Sequence, residues 1–163
     1  MEVVSVKVLS KIPKILILFL IFTILLSGCG GVTTPATDLT GNWTTTNTTT
    51  FTTSSQIADI GAVTTAKCNI VVNNGSLTLY NFYIVGQPFI NWNTGYGTFK
   101  NSIINANISG SYLNVYGSTV STIIYFEGTI NSSGISGSGT WIQIVSVYGY
   151  SDSASGTTIF IKG

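Results

Sequence analysis

From residue 41 onward the chain shows no helical periodicity; apolar and polar residues alternate in short runs bounded by turn residues, the pattern of half-buried strands. Runs at 41–54, 63–72, 77–85, 98–108, 112–116, 120–130, 135–147 and 157–162 predict strands. Pro88 keeps 86–97 off a central ladder and marks it as a long loop or an interrupted strand. In the first run Trp43 and Phe51 fall on one face. Asn73-Asn74-Gly75-Ser76 lies between two apolar runs, and Asn-Gly supplies the two positive-φ residues of a type I′ hairpin. Further breaks are expected at Ser109-Gly110, Gly117-Ser118, 131–134 and 151–156. The fold class is therefore all-β, an antiparallel meander of about eight or nine strands, which loses its exposed edges by closing into a barrel. Two packed sheets would give the same alternation, so a β-sandwich stays open as the alternative.

The N-terminal pattern differs. Lys7, Lys11 and Lys14 precede an unbroken apolar run, Ile15 to Leu26, that ends in small residues. A basic stretch, a short apolar helix and a small-residue cleavage site make a secretory signal peptide. The run is shorter than the 18 or so apolar residues of a spanning helix. At its end, Leu26-Ser27-Gly28-Cys29 resembles the lipobox of bacterial lipoproteins. That resemblance implies cleavage between Gly28 and Cys29 and lipidation (palmitate or a similar acyl chain) of the Cys29 sulfur. Two or three acyl chains hold a protein on a bilayer where one is marginal. The chain thus divides into a signal peptide (1–28), a lipidated cysteine and flexible tether (29–40) and a barrel domain (41–163).

Charge narrows the partners. After residue 28 only Lys67, Lys100 and Lys162 face Asp38, Asp59, Glu127 and Asp152, and the whole chain lacks arginine and histidine. No basic groove for nucleic acid can be built from that set. With Cys29 given to lipid, Cys68 is alone, and no intramolecular disulfide is available. It reads as a small buried strand residue. The absence of histidine removes an ordinary catalytic triad and an imidazole metal site. A pair of carboxylates such as Glu127 with Asp152 or Asp59 is the one remaining catalytic device, and the alternation around Glu127 points it to solvent. The expectation is a non-enzymatic protein with no cofactor beyond the covalent lipid on Cys29. The aromatic residues between Tyr80 and Tyr150 read as core and cross-strand pairs, with a binding face as the alternative.

In the C-terminal half, Ile124, Phe126, Gly128 and Ile130, and likewise Ile135, Gly137, Gly139 and Trp141, occupy one face at period two; glycine on an inward face lets a strand curve sharply or admits a bulky neighbour. Together with Leu39-Thr40-Gly41-Asn42-Trp43 and the final run 156–162, these hairpins resemble the lipocalin-like domains of bacterial lipoproteins. The resemblance implies a small barrel in which Trp43, Phe126, Trp141 and Lys162 face the ligand or close the barrel, Lys162 standing where lipocalins usually place an arginine against the opening tryptophan. It also implies a small apolar ligand, or another envelope component, as partner. The reading from sequence is a membrane-anchored, extracytoplasmic barrel lipoprotein of the cell envelope that binds such a ligand. The alternative is a surface lipoprotein with a filled interior, contacting proteins or glycans through its outer strands.

Overall fold

The computed structural model describes residues 38–54 and 58–163. The expected signal peptide, Cys29 and the tether up to residue 37 lie outside the described residues. Among those described, nine strands follow in order: β1 (Gly41–Thr52), β2 (Val63–Asn73), β3 (Ser76–Ile84), β4 (Asn91–Trp92), β5 (Gly95–Lys100), β6 (Ile103–Leu113), β7 (Thr119–Ile130), β8 (Ser136–Val147) and β9 (Tyr150–Lys162). Eight of them form a closed ring, β6-β5-β3-β2-β1-β9-β8-β7, because β7 pairs back onto β6 from Ile103↔Thr129 to Leu113↔Thr119. All pairings are antiparallel. The short β4 continues the edge of β6 beyond β5, so 86–97 is an interrupted strand. The result is a small lipocalin-like barrel, and ring closure excludes the two-sheet alternative.

Turn chemistry sets the register. Asn74 and Gly75 (φ 49° and 79°) form the expected tight hairpin between β2 and β3. Two more two-residue turns with successive positive φ were not expected: Asn101-Ser102 (53°, 64°) and Tyr148-Gly149 (52°, 82°). They correct the predicted boundaries. The run 98–108 is divided at residue 101, β6 passes straight through Ser109-Gly110, and β9 runs through 151–156. The segment 112–116 is the end of β6 and then a turn, in which the Asn114 side-chain oxygen accepts from the Tyr116 and Ser118 amides at 3.0 and 2.9 Å. Ile135 lies in the β7–β8 connection and is exposed, rather than sharing the inward face of Gly137 and Trp141.

Two bulges reset the alternation. At Thr50 the β1–β9 register shifts, so Thr49 is buried and Phe51 turns outward, 54% exposed, away from the face of Trp43. At Asn81 (φ 51°) the β2–β3 register shifts, and the inward set passes from Leu77 and Leu79 to Phe82 and Ile84. An extra residue in one strand reverses the facing of all that follow it.

The inward glycines allow close approach of neighbouring strands. A Cβ on Gly128 would stand 2.5 Å from the Phe160 ring and 2.8 Å from the Ser138 carbonyl oxygen. Gly128→Ala should therefore lower stability by about 1–3 kcal/mol through overpacking, whereas Thr129→Ala, one residue along on the outer face, should change it by under about 0.5 kcal/mol. Urea unfolding of the two variants checks this; equal midpoints would remove the packing role given to Gly128.

Candidate functional site

The inside of the barrel has two halves. Toward the end where residue 38 enters, Leu39, Trp43, Leu77, Leu79, Ile104 and Phe160 are packed with Phe82 and Phe126 into one apolar cluster. The Trp43 indole N–H donates to the Leu39 carbonyl at 2.7 Å, which fixes both residues as a stopper. Lys162 pairs with Trp43 in the β1–β9 register. Its ammonium donates to the Asp38 carbonyl at 2.9 Å, and its stem lies over Gly41. The Thr40 amide, bonded to the Asp38 carboxylate at 2.8 Å, holds that carboxyl below the usual carboxylate range. Trp43 and Lys162 thus meet at one end. Phe126 stands mid-barrel, its ring 6.2 Å from Phe82 and 6.5 Å from Phe160.

Trp141 belongs to the other half, which is polar. Asn47, Thr49, Thr122 and Thr158 are buried there, and the Gln143 amide donates to the Thr122 hydroxyl at 3.0 Å. Among the described residues, the Asn47 Oδ1, Trp141 Nε1 and Thr158 Oγ1 atoms are buried without a protein partner.

One interior cavity, of about 20 Å³, is bounded by the apolar cluster; a second, of about 30 Å³, by Asn47, Thr49, Gln87, Trp141 and Gln143 among others. The second suits one or two water molecules. Pockets for organic ligands run from about 300 Å³ upward. Four of the residues singled out from sequence, Trp43, Phe126, Trp141 and Lys162, therefore sit in packing and end-closure positions around a filled interior. Cys29 and Gly28 lie outside the described residues.

Space lies on the outer face instead. Two depressions, about 430 and 410 Å³, lie on the outer surface of β5 to β8. Registers place them end to end. Asn105, Glu127 and Thr140 form one outward row, Asn107, Tyr125 and Ile142 the next, then Ser109, Ile123 and Ile144, then Ser111, Ser121 and Ser146. From Asn105 to Ser111 this trough runs for about 20 Å at the usual rise per strand residue. Glu127 is its one charged lining residue. The side chains of Asn105, Asn107, Tyr125 and Glu127 bond to no other described side chain or backbone group.

The tyrosines follow the same division. Of eight in the chain, seven are exposed and Tyr112 is half-buried, while Phe82, Phe126 and Phe160 fill the core. A phenol keeps its hydroxyl in water where a phenyl ring does not need to. Sequence reasoning missed the trough because it broke β6 at Ser109-Gly110. The signal was present in Asn105, Asn107, Ser109 and Ser111, four short polar residues at period two opposite Ile104, Ala106 and Ile108. Glu127 does point outward. Among the described residues no group of three or more His, Cys, Asp or Glu side chains is placed to hold a metal ion.

Comparison with known proteins adds no identity: no family model, no curated protein and no solved structure matches this chain.

Cys68 is buried in the β2 wall, and burial pushes its thiol from an ordinary 9.0 up to about 12. A thiol that stays protonated when folded but ionises when unfolded adds stability that is complete below pH 9 and is lost as pH rises toward 12. Unfolding free energy should fall across that window by up to about 1.4 kcal/mol per pH unit. Cys68→Ala should flatten the slope; an unaltered slope would assign it to other groups.

Proposed function

We propose that this protein is an exported lipoprotein, held on the outer side of a membrane by acyl chains on Cys29, whose barrel is a non-enzymatic binding module working through its outer surface. The leader supports the first half of this reading: a basic stretch, a short apolar run and Leu26-Ser27-Gly28-Cys29 in the right order. One observation carries the second half. The interior cavities measure about 20 and 30 Å³, against about 430 and 410 Å³ for the depressions outside. An apolar ligand inside the barrel, the expectation carried by the lipocalin resemblance, would require the Phe82, Phe126 and Phe160 cluster to open. A contact surface for an envelope glycan or protein requires no rearrangement.

Two measurements test the two halves separately. In cells fed radiolabelled palmitate, the wild-type chain should take up label and fractionate with membranes, and Cys29→Ser should do neither; label that persists in Cys29→Ser, or is absent from wild type, rules out the anchor. Purified protein exposed to a fluorescent fatty acid should show no saturable binding; stoichiometric uptake that Phe126→Trp blocks would restore the interior as the site.

A further inference from the structure

We infer that the trough across the outer face of β5 to β8 is a binding site for an uncharged polysaccharide chain. This deepens the outer-surface reading and rests on it. The chemistry of the lining selects the occupant. Asn105 and Asn107 each present a donor and an acceptor, and Glu127 accepts only, so the three match the mixed donors and acceptors of sugar hydroxyls. Tyr125, 44% exposed in the row of Asn107, offers a ring face for the C–H side of a pyranose. Among the described residues none of these four side chains has a bonding partner. The lining holds no lysine or arginine, so nothing favours an anionic polymer, and Glu127 opposes one. Serine, which is depleted in protein–protein interface cores, recurs in the lining at 109, 111, 121 and 146 beside Ile123 and Ile144, and arginine and methionine are absent from it.

The turns beyond the far end of the trough add exposed aromatic surface. Beyond Ser111 and Ser146 stand the turns that hold Tyr116 and Tyr148, 87% and 78% exposed. Tyr148 occupies φ 52°, a position that asparagine or glycine fills at lower cost, and strain of this kind persists where a side chain has a task. A hydrogen bond between the Ser118 and Tyr148 hydroxyls ties the two turns together. The trough thus has Tyr125 one row in from its first end, the tyrosine-bearing turns beyond its other end, and a floor in which serine and asparagine lie beside Ile123, Ile142 and Ile144.

The test is binding of the full chain, in a zwitterionic detergent that carries no sugar headgroup, to an array of neutral tetra- to octasaccharides with sulfated and uronic-acid chains as comparators. A neutral chain should bind, and Tyr125→Ala and Asn107→Ala should each weaken it by about tenfold or more, with urea midpoints unchanged because both residues face solvent. Binding that survives both substitutions, preference for the anionic chains, or an array without a neutral binder each overturns the proposal. So does a photocrosslinker at residue 125 that captures protein while the array stays empty. Palmitate labelling of Cys29 does not depend on any of these outcomes, so failure here is distinguishable from failure of the anchor.

Discussion

Ring closure between β6 and β7 is the constraint on which the rest of the molecule depends. Among the described residues it leaves no long open edge, in a chain rich in β-forming residues and poor in charge, a composition that would otherwise invite edge-to-edge association. Closing so small a ring brings neighbouring backbones and core rings close to the inward face, and glycine is the residue that permits it. A Cβ on Gly156 would meet the Thr48 carbonyl oxygen at 1.8 Å, and one on Gly139 the Glu127 carbonyl oxygen at 2.0 Å. Phe160 stands in the space beside Gly128 and Trp141 in that beside Gly156. The narrow, filled interior is therefore a direct outcome of how the ring is closed.

That outcome supports the proposal that recognition lies on the outside. The core is occupied by aromatic rings at one end and by buried amides and hydroxyls, only some of them paired, at the other, which on the reading proposed above leaves the outward residues to meet partners. Their arrangement is regular because the strands are in register: an asparagine ladder, Asn42, Asn69 and Asn81, bonds across β1, β2 and β3 on one side of the barrel, while Asn105, Asn107 and Tyr125 stay unbonded on another. Among the described residues, the same residue types thus serve cohesion in one place and stay without a bonding partner in the other.

How much of this was legible in the sequence follows from what glycine and asparagine can mean. The all-β class, the Asn74-Gly75 hairpin and the facing of Phe126, Gly128, Ile130 and Trp141 were readable, because period-two alternation and Asn-Gly each have one dominant physical explanation. Ser109-Gly110 and 151–156 were misread as turns, since a glycine that admits a neighbour, as Gly110 admits Trp92 and Gly156 admits Thr48, looks the same in sequence as a glycine that reverses the chain. Conversely, Asn101-Ser102 and Tyr148-Gly149 turn without the usual signature. The bulge at Thr50, which sends Phe51 outward, leaves no mark in the alternation before it. The trough depended on reading β6 as one continuous strand, and so was hidden by the first of these errors.

The polarity of β1 has a mechanical consequence. This strand begins at the end of the barrel stoppered by Leu39 and Trp43, and it is held on both sides, by β2 and β9, while the tyrosine-bearing turns stand at the opposite end. A pull applied through residue 38 against a load held at those turns runs parallel to the strands. It loads both ladders in shear, so that many backbone hydrogen bonds resist together instead of unzipping one by one. Such a barrel would yield late and abruptly under tension, a trait that would serve the membrane-anchored binding role proposed above.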